Sequence, residues 1–201
     1  MNKAVRGFTL IELIVVIAII GVLASIVFVG ARPAGEQSRD TQRQADLRQV
    51  QTTLELYKNR YGRYPEGCNP AGSWSGQAGS SYTCGTANEP YILGDLGEGR
   101  PFAEFLVSLP KDPKLNSSNS GYVYTTNLDG SVYKFMAKNT VESEIVTVDH
   151  PFKSCAAGCS SSHCQSANSQ FETSYAVWGG LDNSDPSDIR DNTDQIICNI
   201  Q

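Results

Sequence analysis

The chain has 201 residues, of which 40% are hydrophobic and 18% are charged, and its 16 basic and 21 acidic side chains give a formal net charge of −5. This composition excludes a collagen-like repeat and a wholly disordered chain. The acidic balance argues against a nucleic-acid reader that works by neutralising phosphates. With two histidines and no glycine-rich phosphate-binding loop, the sequence offers no catalytic motif. Six cysteines, an even number, indicate disulfides formed in an oxidising compartment.

An apolar run lies near the N terminus. Residues 13–29 contain no charged side chain, and a helix over residues 8–31 would extend about 36 Å, more than the ~30 Å hydrocarbon core of a bilayer. We therefore predict a membrane-spanning helix there, preceded by a leader at residues 1–7 that contains Lys3 and Arg6. Positive charge before the span favours a cytoplasmic N terminus. A secretory signal peptide is the alternative, but its apolar core is usually about 7–15 residues long.

Residues 32–62 continue the predicted helix in amphipathic form. Apolar side chains recur there at steps of three and four residues, at Leu47, Val50, Leu54, Tyr57 and Tyr61. Such a stripe is buried against a protein core. Gly62 and Pro65 follow the stripe and predict the end of the helix.

The segment around the predicted leader end carries a family resemblance. Residues 6–13 read Arg-Gly-Phe-Thr-Leu-Ile-Glu-Leu, and the chain thereby resembles type IV prepilins and type II secretion pseudopilins. In that family a membrane prepilin peptidase removes the leader after the glycine, and the new N-terminal residue is N-methylated. The resemblance implies cleavage between Gly7 and Phe8 and methylation of Phe8. It also implies that Glu12 pairs with the methylated amine of Phe8 on a neighbouring subunit and so aligns subunits during assembly.

Physical reasoning also singles out Glu12. A carboxylate in a membrane helix costs about 2.5–3.5 kcal/mol at the bilayer centre and less near the interface, so a charged partner is expected to offset it. The alternative is that Glu12, one turn from the mature terminus, lies among the lipid headgroups.

Residues 63–201 are predicted to form the globular head of an α+β fold, in which the long helix packs on a small antiparallel sheet with long disulfide-bonded loops. Residues 122–127 and 131–136 flank an Asp-Gly turn, which predicts a β-hairpin. One face of this sheet is expected to cover the helical stripe and the other to face water. The further predicted elements are a short helix over 102–109, a third strand at 145–148, and an edge strand at 174–178 or 196–197.

The cysteines predict cross-linked loops in this head. Cys68 and Cys84 bracket a loop rich in Gly, Ser and Asn, and a disulfide between them would stabilise the head by roughly 3 kcal/mol in the chain-entropy model. The other four cysteines allow three connectivities that the sequence does not rank, and we expect the last cysteine to be tied back to the loop of the others. These four are Cys155, Cys159, Cys164 and Cys198.

Two groups of residues suggest metal sites, although we predict no metal. Cys155, Cys159, His163 and Cys164 could ligate zinc, but they lack the paired repeat of zinc fingers, and disulfides fit an exported head better. Carboxylates recur at every third position and could supply the oxygen ligands that Ca²⁺ prefers, as in a nearby loop of related pseudopilin heads. Their spacing does not match an EF-hand, so calcium stays an alternative. These residues are Asp182, Asp185, Asp188, Asp191 and Asp194.

The function favoured by the sequence is that of a non-catalytic subunit of a type IV pilus. The resemblance implies a prepilin stored in the inner membrane through residues 8–31, then processed and polymerised with copies of itself into an extracellular or periplasmic filament. The implied partners are the prepilin peptidase, an inner-membrane assembly platform and its ATPase. Long disulfide-bonded loops suit an exposed fibre used for adhesion, motility or DNA uptake.

Two alternatives remain. Residues 109–113, Leu-Pro-Lys-Asp-Pro, precede a tyrosine-rich hairpin as in the major pseudopilins of type II secretion, although residues 114–117 lack the Trp-Gly turn of those proteins. A secretion pseudopilin is therefore the first alternative. A membrane-anchored receptor or enzyme is the second, because fold and anchor do not exclude a site.

Overall fold

The computed structural model of the chain describes residues 8–85, 89–156, 159, 164–165, 168–180 and 196–198, and it leaves the side chains of residues 25–32 undescribed. The chain divides into two compact units, residues 1–38 and residues 39–201. The predicted α+β class with a long N-terminal helix, an antiparallel sheet and disulfides is confirmed. The leader, His163 and the carboxylates between residues 182 and 194 lie outside the described residues.

Helix α1 runs from Leu10 to Tyr61 over 52 residues, with Pro33 inside it. It ends where the sequence predicts, because Gly62 adopts a positive φ of 80° that a side chain would disfavour. The backbone N–H of Gly62 donates to the carbonyl of Lys58 at 2.7 Å and closes the last turn. Within the described part of the chain, no helix combines the length and the apolar character that crossing a membrane requires.

The head contains one four-stranded antiparallel sheet. In chain order, the strands of the head are β1 (Ser75–Gly76), β2 (Gly94–Asp95), β3 (Arg100–Pro101), β4 (Gly121–Thr126), β5 (Tyr133–Lys138) and β6 (Tyr175–Gly179), with a short helix α2 (Ser169–Glu172) before the last. The strand order in the main sheet is β1-β4-β5-β6, and β2 and β3 pair separately. The predicted hairpin is confirmed as β4 and β5, whose register pairs Thr126 with Tyr133.

The main core lies between α1 and the sheet. Leu47, Val50, Leu54 and Tyr57 of α1 are all fully buried, and they pack in one cluster with inward-facing residues of the three long strands. The inward-facing residues of the strands include Tyr122, Tyr124, Tyr133, Phe135, Tyr175 and Val177. The amphipathic stripe is therefore the element that fixes α1 to the sheet, as its period predicts.

The opposite face of the sheet is covered, which corrects the expectation that it faces water. Every residue of β4 and β5 is buried. Trp74 and Phe171 pack there against Val123 and Met136, in a cluster that also contains Cys155. The long cross-linked loops cover this face. A sheet that is covered on both faces buries more apolar surface than a sheet with one face exposed to solvent.

Three predicted elements differ in the structure. Residues 145–148 form no strand, since only Val146 is buried and its N–H donates to the carbonyl of Glu172 rather than to a strand ladder. Residues 196–197 are helical and buried, so the edge strand is β6 alone. In place of the helix predicted over 102–109, the structure has only a 3₁₀ turn at Phe102–Glu104. In each segment single apolar residues, Val146, Phe102 and Ile196 among them, are buried without a regular strand or a full α-helix over the predicted range.

Candidate assembly site

The N terminus of α1 begins with a reciprocal set of hydrogen bonds. The backbone N–H and the hydroxyl of Thr9 donate to Glu12 Oε2 at 2.9 and 2.8 Å. In return, the N–H of Glu12 donates to Thr9 Oγ1 at 3.4 Å. This is a capping box, in which two backbone donors at a helix start are satisfied by each other's side chains. Sequence reasoning missed it, although the Thr-x-x-Glu spacing was a sufficient signal.

The capping box defines what the Glu12 carboxylate can do. Both Thr9 donors contact Oε2, and among the described residues no donor contacts Oε1. A carboxylate oxygen accepts a charged amine strongly, so Oε1 is the atom that the predicted neighbour would bind. Phe8, the residue whose amine is expected to be that partner, is 89% exposed. Gly7, on the other side of the expected cleavage point, lies outside the described residues.

The beginning of α1 presents a continuous apolar surface. Its large apolar side chains between Phe8 and Leu23 are exposed by 49% at Val16 to 89% at Phe8. Soluble monomeric proteins rarely expose apolar patches of such extent, which mark contact surfaces for protein or lipid. The first unit therefore has the chemistry of an assembly or membrane surface.

The second unit contains a buried ionic cluster that fastens the loop at residues 109–113 to α1. The Arg43 guanidinium is fully buried and binds both carboxylate oxygens of Asp112, at 2.7 and 2.8 Å. Asp112 is the acidic residue of the Leu-Pro-Lys-Asp-Pro segment. Such a fork-to-fork pair fixes orientation as well as distance. The segment that suggested the secretion family is thus a structural anchor of the head.

Three cations and three anions balance in this cluster. Arg43 also donates to Asp40 at 2.6 Å and to Glu142 at 3.1 Å. Glu142 receives two further hydrogen bonds from Arg39, at 2.8 Å each, and one from Lys114 at 2.5 Å. The hydrogen bonds from Arg39 hold the pKa of Glu142 well below its usual range, although burial acts in the opposite direction. Paired and hydrogen-bonded charges of this kind tolerate burial that single charges do not.

The structure pairs all six cysteines. Cys68 bonds to Cys84, Cys155 to Cys164 and Cys159 to Cys198, with Cα–Cα separations of 5.5 to 5.7 Å. This is one of the three connectivities that the sequence left open, and it joins Cys198 to Cys159. The sulfurs of Cys155, Cys159 and Cys164 lie within 4.8 Å of one another because the two disulfides are adjacent. As disulfides, they do not offer the thiolates that zinc requires.

His150 has local partners that the sequence did not reveal. Its Nδ1 accepts the backbone N–H of Phe152 at 3.1 Å, and its Nε2 lies 3.3 Å from Glu144 Oε1. The imidazole also stacks on Tyr175, with ring centroids 5.2 Å apart. Both ring nitrogens are therefore engaged inside the head, and His150 stabilises the conformation of the loop that contains it.

The comparisons with known proteins agree with the N-terminal motif. The family model of the prokaryotic N-terminal methylation motif matches residues 2–28. The type II secretion system core protein G of Dickeya chrysanthemi is 38% identical over 65 residues, which cover 32% of this chain and 42% of that protein. The corresponding protein of Klebsiella pneumoniae is 42% identical over 60 residues, or 30% and 43% of the two chains.

Each alignment therefore spans less than half of the relative's length. No solved structure matches the chain with significance. The methylation motif and these relatives support the resemblance of the chain to prepilins and type II secretion pseudopilins.

Proposed function

We propose that this chain is a structural subunit of a type II secretion pseudopilus. The observation that carries the proposal is the methylation motif at residues 2–28, which includes the exposed apolar start of α1. The sequence alone favoured a type IV pilus, but the relatives described above are secretion proteins and support the secretion alternative better than the pilus. The family is structural, so a membrane-anchored enzyme has less support.

The proposed maturation begins in the inner membrane. The prepilin peptidase removes residues 1–7 by cutting between Gly7 and Phe8, and Phe8 is then N-methylated. Residues 8–31 anchor the precursor with its N terminus in the cytoplasm, while residues 32–62 and the head at 63–201 lie outside. The motif at residues 2–28 supports the membrane-anchored precursor.

The proposed assembly step uses the capping box. Thr9 donates to Oε2 of Glu12, and Oε1 receives the methylated ammonium of Phe8 from a neighbouring copy. Charge-assisted hydrogen bonds of this type are about twice as strong as neutral ones, and they strengthen further away from water. The apolar side chains from Phe8 to Leu23 are then buried against other copies in a heterologous, repeating contact. An assembly platform and an ATPase supply the extraction from the membrane.

Mass spectrometry of the native protein tests the maturation. The protein recovered from cells should lack residues 1–7 and carry one added methyl group on Phe8. Replacement of Gly7 by Trp should block cleavage and leave the full-length precursor, and replacement of Ala4 by Trp, outside the cleavage point, should not. Assembled protein that still begins at Met1 would overturn the proposal.

Deletion of the gene distinguishes a secretion pseudopilus from a type IV pilus. A pseudopilus subunit is required for export of folded proteins across the outer membrane, so the deletion should abolish that export and leave surface pili unchanged. Loss of surface pili with normal export would instead support the pilus alternative.

A further inference from the structure

Two disulfides of the head lie side by side. Cys155 bonds to Cys164 and Cys159 to Cys198, and the sulfurs of Cys155, Cys159 and Cys164 lie within 4.8 Å of one another. The Sγ atom of Cys164 is also 3.3 Å from the carbonyl oxygen of Cys198, which lies 34 residues further along the chain. The fold therefore brings four cysteine side chains to one place, and we call them the four-cysteine cluster.

Side-chain packing holds three members of the cluster against the sheet. Cys155 is 3% exposed and packs with Trp74 and Phe171 in the apolar cluster on the second face of the sheet. Cys159 and Cys164 are half-buried and pack against the same apolar cluster. Because these contacts do not depend on the sulfur–sulfur bonds, we expect the three side chains to stay close together when the cysteines are thiols.

The fourth member, Cys198, is held by the segment at residues 196–198. Ile196 and Ile197 are almost fully buried and pack with Val132. The Nζ atom of the buried Lys134 donates to the carbonyl of Ile197 at 2.5 Å. Burial lowers the pKa of Lys134, so a centre of negative charge near Cys198 would favour the charged form of this lysine. The segment thus combines an anchored backbone with surroundings in which negative charge is favourable.

The chemistry of the four donors selects the metal. Four cysteine thiolates are a common ligand set of structural Zn²⁺, whereas Ca²⁺ and Mg²⁺ prefer oxygen. Three residues separate Cys155 from Cys159, a spacing found in zinc-binding cysteine pairs. Tetrahedral zinc–sulfur bonds of about 2.3 Å place the sulfurs about 3.8 Å apart. Since the sulfurs named above lie within 4.8 Å, rotation of the cysteine side chains can supply this arrangement without a change of fold.

We propose that the head binds one Zn²⁺ through the thiolates of Cys155, Cys159, Cys164 and Cys198 before its disulfides form. Cysteines enter the chain as thiols, and each thiol gives up its proton when it binds the metal. A disulfide oxidant then takes two electrons from each pair of thiolates. It takes up two protons and is reduced to two thiols, while the protein gains one disulfide. When both pairs are oxidised, Zn²⁺ leaves. The site therefore goes beyond the filament function and orders this part of the head before it is cross-linked.

Metal titration of the full-length chain tests the site. The chain is purified in detergent, reduced with a phosphine, separated from the reductant and titrated with Co²⁺ without oxygen. The intense visible bands of a tetrahedral cobalt–thiolate centre should saturate at one Co²⁺ per chain and disappear when Zn²⁺ is added. The oxidised chain should show no such bands.

Two double variants separate this site from a general effect of thiols. Cys155→Ser with Cys164→Ser should lose the cobalt bands. Cys68→Ser with Cys84→Ser is the matched control, because it also removes one disulfide and also keeps four cysteines, and it should retain them. Equal bands from the two variants would show that the metal binds any available thiols, and this would overturn the site.

Alkylation of the unaltered chain gives a second measurement that needs no variant. The reduced chain is treated with iodoacetamide, with and without one equivalent of Zn²⁺, and its peptides are identified by mass spectrometry. Zinc should leave the four-cysteine cluster unmodified, while Cys68 and Cys84 are alkylated as they are without zinc. Alkylation of all six cysteines in the presence of zinc would overturn the site. The proposed secretion function does not depend on either result.

Discussion

The two units of the chain handle charge and apolar surface in opposite ways. The start of α1 exposes its apolar side chains and holds a single acidic residue, Glu12, in a local capping box. The second unit buries its apolar side chains and encloses Arg43 among three carboxylates. The second unit is therefore stabilised by contacts within itself, whereas the start of α1 has the apolar surface typical of a segment that contacts lipid or protein. Substitutions in the two units should accordingly affect different measurements.

The largest expected effect is that of Glu12→Gln on assembly. Glutamine still completes a capping box, so the helix start, cleavage and insertion should be preserved, but the charge proposed to attract the Phe8 amine of a neighbouring copy is lost. Filaments should disappear or fall to a small fraction in electron micrographs of sheared cells. Thr9→Val is the matched variant, because it removes the hydroxyl of the box and keeps the charge of Glu12. If Glu12 served only as a cap, Thr9→Val would be the more harmful of the two and Glu12→Gln would assemble normally.

In the second unit, the largest expected effect is that of Arg43→Met on stability. The substitution leaves Asp112 buried without its two hydrogen bonds from the guanidinium, and removing one partner of a buried ion pair typically costs about 3–5 kcal/mol. The free energy of unfolding in urea should fall by that order. Arg48→Met is the control, since Arg48 is exposed and lies over the ring of Phe152, and it should cost less than about 1 kcal/mol. Similar losses from both variants would contradict the assigned role of the cluster.

These two sites also differ in how far the sequence predicts them. The motif around Glu12 is local, so its spacing suffices, and the same is true of the stripe from Leu47 to Tyr61. The partners of Arg43 are not local, because Asp112 and Glu142 are 69 and 99 residues away. No periodicity encodes such pairs. An arginine within an amphipathic helix is normally predicted to face solvent. Arg43 is nevertheless fully buried.

The second face of the sheet was missed for the same reason. Lys134 and Lys138 alternate with apolar residues in β5 and suggest that this face of the sheet is exposed to solvent. Both lysines are nevertheless buried. Lys134 donates to the carbonyl of Ile197 at 2.5 Å, and Lys138 donates to the hydroxyl of Tyr82 at 2.6 Å. Loops distant in sequence cover the lysines, and the alternation of a strand does not report on loops.

The disulfides should contribute unequally to the stability of the head. Cys159 and Cys198 are 39 residues apart, whereas Cys155 and Cys164 are 9 apart. In the chain-entropy model the longer loop stabilises by about 1 kcal/mol more. The double variant Cys159→Ser with Cys198→Ser should therefore lower the urea midpoint more than Cys155→Ser with Cys164→Ser. Equal midpoints would show that strain or packing around these loops outweighs the entropy of the unfolded chain.

The smallest expected effect is a change in acid sensitivity at Glu142. Contacts with Arg39 lower the pKa of Glu142 from its ordinary value of 4.5. A carboxyl group whose pKa is lower in the folded state binds fewer protons there than in the unfolded state. It therefore contributes stability above pH 4.5 that is lost as the pH falls towards the folded-state pKa.

Glu142→Gln should be less stable than the parent chain at pH 7, and it should lose less further stability when the pH is lowered from 5 to 3. The measurement is the free energy of unfolding in urea at each pH. Glu98→Gln is the control, because Glu98 is largely exposed and lies 3.7 Å from Arg100. A surface ion pair of this kind contributes little to stability. The free energy of unfolding of Glu98→Gln should therefore change with pH in the same way as that of the parent chain. Equal acid sensitivity of Glu142→Gln and the parent would contradict the assigned contribution of Glu142 to the pH dependence of stability.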